Sequence, residues 1–186
     1  MNEVFTAVIT GATKTRSYDG DYMKAGKAAE SIVMEFLRCN PEVVGVEDIR
    51  ELRPMQAADA DCIIYNADGT VVLAEIKSDS YLGKSGNVIF EALRINHTAP
   101  PDKAATLGWT ARSPATYFLF YAPSVDCIYQ CRANDLRAAF QKYTSEAREH
   151  ARYMLVPTDN VKSTVTYLIP WKYCQDIFTI HELIPF

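Results

Sequence analysis

Asp61-Cys-Ile-Ile-Tyr65-Asn-Ala-Asp-Gly69-Thr-Val-Val-Leu-Ala-Glu75-Ile-Lys77 decides how this chain folds. The pair Asp68-Gly69 suits a tight turn, and the runs on either side are apolar and β-branched, so the segment predicts a β-hairpin. Side chains alternate along a strand: Leu73, Glu75 and Lys77 share one face, and Val72, Ala74 and Ile76 share the other. A hairpin of this length returns the start of its first strand to the end of its second. Asp61, Glu75 and Lys77 therefore converge.

Two carboxylates held close together repel each other unless a divalent cation is shared between them, and hard oxygen donors favour Mg²⁺, with Mn²⁺ able to substitute. A metal-bearing carboxylate pair beside a lysine suits phosphodiester hydrolysis. The cation polarises the phosphoryl oxygen and acidifies a bound water, and the lysine orients that water and offsets charge on the phosphorus. A Glu-x-Lys at a strand end is also common surface chemistry; its place in the hairpin, opposite an aspartate, sets this one apart. Asp59 lies two residues before Asp61 and would share its face on a strand, so either could be the ligand. Asp61 is preferred because it abuts the apolar run Cys62-Ile63-Ile64.

Working outward, Ala29, Ile32, Val33, Phe36 and Leu37 recur at helical spacing, which predicts a helix capped at Asp21, running to about Arg38 and stopped by Asn40-Pro41. Glu30 sits at the edge of that apolar stripe, where it can lean toward the sheet. Further strands are expected near Val43–Ile49, Val88–Ile95, Ala115–Tyr121 and Cys127–Cys131. A second helix is expected from about Asn134 to Met154, followed by strands near Val165–Ile169 and Ile177–Ile184. The order predicts an α/β fold with a mixed central β-sheet flanked by helices. The length of 186 residues suits one domain spanning the whole chain, with its core in about residues 20–140 and a C-terminal helix and strands over 132–186.

Composition narrows the function classes. Charge divides unevenly, with 10 basic and 16 acidic residues up to Asp102 against 9 and 7 beyond it, so overall charge cannot drive binding to nucleic acid and any such contact must be a local patch. Cys39, Cys62, Cys127, Cys131 and Cys174 contain no CxxC pair and read as free thiols, Cys127 and Cys131 lying on one strand face in the core. The sequence shows no basic leader and no apolar run long enough for a membrane span, so the expectation is a reducing cytoplasm and no membrane partner.

The spacing Asp61-x13-Glu75-Ile76-Lys77 resembles the active-site signature of the PD-(D/E)XK nuclease superfamily, whose fold is the restriction-endonuclease-like core. Gly26-Lys-Ala-Ala-Glu30-Ser-Ile-Val-Met-Glu-Phe-Leu37 is similar to the first helix of archaeal Holliday-junction resolvases, in which a glutamate completes the metal site. Ser85-Gly-Asn-Val-Ile-Phe-Glu91 and Gly108-Trp109 resemble a phage-type subset, and Glu91 can face the cleft. One departure is Ala60-Asp61 where the family has Pro-Asp. The resemblance covers roughly residues 20 to 140 and implies a Mg²⁺-dependent deoxyribonuclease acting on DNA. Its catalytic set would be Asp61, Glu75, Lys77 and Glu30, with Asp61, Glu75, Glu30 and Glu91 on the metal.

Lys14, Arg16, Lys24 and Lys27 near the first helix, Lys84 in the loop and Arg112 are candidates for phosphate contact, and such contacts bind backbone without reading sequence. Trp109 and Trp171 are expected in the core. The rival readings are a nuclease-fold module that binds DNA or a protein without cutting, and a junction resolvase, which would act as a symmetric homodimer.

Overall fold

The computed structural model describes residues 20–159 and 161–183; Lys14 and Arg16 lie outside them. Helix α1 (Gly20–Cys39) ends at Asn40, whose amide donates to Leu37 O (3.2 Å) and whose Oδ1 accepts the Glu42 amide (2.9 Å). Its buried stripe is Ala29, Val33, Met34 and Leu37. Met34 takes the central place, and Ile32 and Phe36 are half-buried on the flanks.

Strands β1 (Val43–Asp48), β2 (Cys62–Asn66) and β3 (Val71–Ser78) follow, with a short helix α2 (Arg53–Ala58) between the first two. The β2–β3 hairpin forms as expected, with Cys62 opposite Ala74 and Tyr65 opposite Val71. Gly69 supplies the left-handed residue of the turn (φ 84°), and Asp68 Oδ1 accepts the Thr70 amide (2.9 Å) and hydroxyl (2.7 Å). Strand β3 is interior: on its other side it pairs in parallel with β6 (Tyr117–Ala122), placing Glu75 opposite Phe118 and Lys77 opposite Phe120. Strands β7 (Cys127–Arg132) and β10 (Thr179–Glu182) complete a six-stranded mixed sheet of order β1-β2-β3-β6-β7-β10. A parallel strand covered on both faces explains why Ala74, Glu75 and Ile76 are all buried.

The other strands form a second sheet. Strands β4 (Asn87–Asn96), β5 (Ala105–Leu107), β8 (Tyr153–Pro157) and β9 (Lys162–Pro170) pair antiparallel in the order β5-β4-β9-β8. A one-turn helix α3 (Trp109–Arg112) leads from this sheet back to β6. Helix α4 (Ala133–Ala147) is shorter than its expected range, and its C-cap Arg148 adopts φ 48°. The apolar stripe Leu136, Ala139, Phe140, Tyr143 gives way to Glu146, Arg148 and Glu149, and Tyr153 and Met154 leave the helix to pair with Tyr167 and Thr166 at the edge of β9.

The six-stranded sheet thus has two differently covered faces. Val33, Met34 and Leu37 of α1 pack on Cys62, Ile64, Ala74, Ile76, Leu119 and Ile128. The Val, Met, Leu and Ile side chains among them each contribute about 1.5–3 kcal/mol of burial. The opposite face presents Phe118, Phe120, Tyr129 and Cys131 to Val88, Phe90 and Ile169 of the second sheet and to Leu136 of α4. All five cysteines are free, and all but Cys39 are buried.

Two glycines give opposite tests of this packing. At Gly108, just before α3, a Cβ would run into the Glu91 carbonyl and come within 2.8 Å of Glu91 Cγ. Gly108→Ala should lose about 2 kcal/mol or more in urea unfolding. Gly26 lies inside α1 with nothing within 4 Å of the place its Cβ would take, so Gly26→Ala should gain about 0.5–1 kcal/mol in the same measurement.

Candidate functional site

The site gathers at the end of β3 and the start of β2. Glu75 alternates with Ala74 and Ile76, which face α1, so its side chain points toward the second sheet, the same way as its neighbour Phe118. It is only 1% exposed. One carboxylate oxygen, Oε1, accepts a close hydrogen bond from Lys77 Nζ, and the other, Oε2, is buried without a partner. Burial pushes the Glu75 carboxyl up to about 7, against the lowering effect of Lys77 and with the help of the Asp61 charge. For Lys77, burial pulls the ammonium down, but the carboxylates of Glu75, Asp61 and Asp59 outweigh it and hold the group above its ordinary value.

Asp61 sits one residue before β2, where the ladder to β3 runs out. Its amide donates to Ala74 O (2.9 Å), and its Oδ2 accepts the Ile76 amide (2.8 Å), capping an N–H that β2 no longer reaches. That hydrogen bond aims Asp61 at the residue following Glu75, and its carboxylate is close enough to raise the cost of charge on Glu75. Asp61, Glu75 and Lys77 are therefore brought together. Cys62, on the opposite face against α1, is completely buried, its thiol pushed up to about 12 by burial and by the Asp61 charge, which leaves it an inert core group.

Asp59 does not share a strand face with Asp61. It is the left-handed C-cap of α2 (φ 54°), so the alternation expected of residues two apart does not apply. Its carboxylate is ion-paired with Arg112 and lies 3.8 Å from Arg94, and its charge still reaches Glu75 and Lys77.

Glu30 and Glu91 each have an arginine partner. Arg50 donates from Nη1 to Glu30 Oε2 (2.5 Å) and from Nη2 and Nε to Asp48 (2.5 and 2.9 Å). Glu91 Oε1 accepts from Arg94 Nε (2.8 Å) and from the Trp109 amide (3.3 Å). Among the described residues, no three His, Cys, Asp or Glu side chains stand as a ready ligand shell.

Lys24, Lys27 and Lys84 are exposed; Arg112 is one-third exposed at its side chain and also donates to Ala57 O (3.2 Å). The arginines Arg50 and Arg94 were not singled out by spacing, because only the fold brings them to their carboxylates. Asp79 was missed as well, although it continues the every-second-residue run of Glu75 and Lys77. It is 4% exposed, its Oδ1 accepts the Tyr81 and Leu82 amides (2.8 and 3.0 Å), and its Oδ2 has no hydrogen-bond partner.

No protein-family model matches the chain, and no curated protein matches it. Among solved structures it is similar to a bacterial homing endonuclease, with 15% identity, a TM-score of 0.44, and coverage of 62% of this chain and 71% of that one. It is also similar to a nuclease from a fusselovirus, with 13% identity, a TM-score of 0.36, and coverage of 87% and 89%. Both similarities are remote.

The raised Glu75 carboxyl has a consequence for stability. Between its ordinary value of 4.5 and about 7, the folded chain holds a proton that the unfolded chain has released, so stability falls as pH rises through that window. Asp79, raised chiefly by burial, acts in the same direction. In metal-free buffer, Glu75→Gln should flatten the fall between pH 5 and 8 by on the order of 2–3 kcal/mol, measured by denaturant unfolding at a series of pH values. An unchanged pH dependence would mean that Glu75 keeps its charge throughout.

Proposed function

We propose that this chain is a divalent-metal-dependent nuclease that hydrolyses phosphodiester bonds in DNA, with Asp61 and Glu75 holding the cation and Lys77 acting on the attacking water. The observation that carries this reading is the unpartnered Oε2 of Glu75, a buried carboxylate oxygen at 1% exposure, beside Asp61 and Lys77. A buried acceptor without a donor is destabilising, and sites kept for function are where such groups persist. The donor set fits Mg²⁺, which is commonly held by one or two carboxylates and completes its shell with waters and substrate phosphate. In that place the ion would supply Lewis-acid polarisation of the phosphoryl oxygen and a more acidic water.

The chain's own residues divide the remaining tasks. Glu75 and Asp61 present anionic oxygens from adjacent strands, Asp61 being fixed by the Ile76 amide. Lys77 is held as an ammonium by the three surrounding carboxylates, and it has donors but no lone pair, so it can orient water and offset charge on phosphorus but cannot bind the metal. The close Lys77–Glu75 pair offsets the charge of the buried carboxylate and keeps the ammonium next to the oxygens that would hold a cation. Glu30 stands on the α1 side with Arg50, and Glu91 stands with Arg94. The core assignment here is Asp61, Glu75 and Lys77.

Three variants separate these roles. Asp61→Asn and Glu75→Gln should each lower cleavage of DNA by at least about a hundredfold and remove the rise in Tm that Mg²⁺ or Mn²⁺ produces in the wild type. Lys77→Ala should keep that rise and bind DNA within a few fold while losing rate by a similar factor. Single-turnover cleavage read beside metal-dependent melting checks all three. Full activity in both acid variants would remove the site from the hairpin.

A further inference from the structure

Lys77 is flanked on one side by Glu75 and on another by an aromatic ring. Its Nζ lies over the indole of Trp109, 5.1 Å from the ring centroid. A half-buried ammonium so placed is attracted by the negative face of the ring. The indole is 4% exposed and meets Phe118 edge-on at 5.1 Å, beside Phe120 at 6.1 Å. Lys77 carries four rotatable side-chain bonds, whereas the ring is fixed by its surroundings.

The turn that carries Trp109 is tied down beyond what a one-turn helix needs. The Gly108 amide donates to Ala92 O (2.9 Å), the Glu91 amide to Thr110 Oγ1 (3.1 Å), and the Trp109 amide to Glu91 Oε1 (3.3 Å). Arg137 reaches from α4 to Thr110 O (3.0 Å) and Ser113 O (2.6 Å). Gly108 must be glycine for this turn to lie so close against β4. These bonds clamp α3 between the second sheet and α4, and the clamp sets where the indole sits.

We propose that Trp109 is a positioning residue for Lys77: the indole face holds the ammonium at one place beside Glu75, and the β4 clamp through Glu91 and Thr110 holds the indole. The use of this contact in catalysis rests on the reading of Lys77 given above. The ring gives the ammonium a second hold beside Glu75, so Lys77 does not depend on that carboxylate alone to stay at the site.

Two arms test the contact and its use separately. The chain has two tryptophans, so Trp171→Phe leaves Trp109 as the only indole emitter. In that background Lys77→Met should shift or brighten the emission, because a cation over the ring is removed, while Lys84→Met in the exposed loop should leave it unchanged. An unchanged spectrum for Lys77→Met overturns the proposal. In the kinetic arm Trp109→Phe should stay within about threefold of wild-type single-turnover cleavage, and Trp109→Leu should fall about tenfold or more, with the Mg²⁺-induced rise in Tm and DNA affinity preserved. A Leu variant at full rate, or one losing metal response and rate together, overturns it too. The spectroscopic arm needs no change at Trp109, so a Leu variant that fails to fold leaves the test intact. Should the wild type cut no DNA while the Lys77→Met shift appears, the nuclease reading falls and the hold of Trp109 on Lys77 stands.

Discussion

A carboxylate in the middle strand of a six-stranded sheet has to be stabilised by whatever the fold can bring to it, and Glu75 sets that demand here. Water is excluded by Phe118 on the neighbouring parallel strand and by the aromatic layer beyond. Lys77 answers one oxygen and nothing among the described residues answers the other. The surrounding acids aggravate the shortage: Asp61 across the hairpin and Asp59 at the α2 cap both disfavour charge on Glu75, and both favour charge on Lys77. A wholly structural core would place leucine or valine at such a position. The unpaired oxygen and the retained ammonium are consequences of keeping an acid there.

The two sheets contribute in different ways. The six-stranded sheet carries Glu75 and Lys77 on its own backbone, and α1 serves mainly to bury its other face. The second sheet supplies supports: Glu91 holds the α3 turn, and Arg94 approaches Asp59. Charges around the site alternate outward from Lys77 and Glu75 through Asp59 to Arg112 and Arg94, and then to Glu91. Arginine suits these links because its planar fork can serve more than one acceptor, as Arg50 does between Glu30 and Asp48.

The hairpin was legible in the sequence because Asp68-Gly69 and the strict alternation around it are local signals, and α1 because its apolar spacing extends over several turns. The placement of Asp61 against Glu75 follows from hairpin length alone. What escaped was short or tertiary. Helix α2 has six residues and β5 three, too few for a period to show. Strand β8 begins inside the range expected for the preceding helix, because nothing local marks Arg148 as the helix end; β8 covers the edge of β9. The face of Asp59 was misjudged for a similar reason: one left-handed residue resets the alternation. The separation of β4 from the central sheet, and with it the proximity of Trp109 to Lys77, depends on pairing with β9 some seventy residues away, as its register with Lys162–Pro170 shows.

The parallel register of β3 with β6 also bears on how the chain reaches this state. Asp61, Glu75 and Lys77 lie within one hairpin and can meet early, while the strand that seals Glu75 arrives from Phe118, 43 residues later, after the chain has passed through β4, β5 and α3. Until that docking Glu75 is open to water; afterwards it is buried. The desolvation of one carboxylate therefore falls on a late, non-local step of folding, the class of contact that limits rates in sheet proteins. In mildly acidic solvent the carboxyl takes up a proton as it is buried, which eases that step, so keeping an acid at this position makes the assembly of the sheet sensitive to protons.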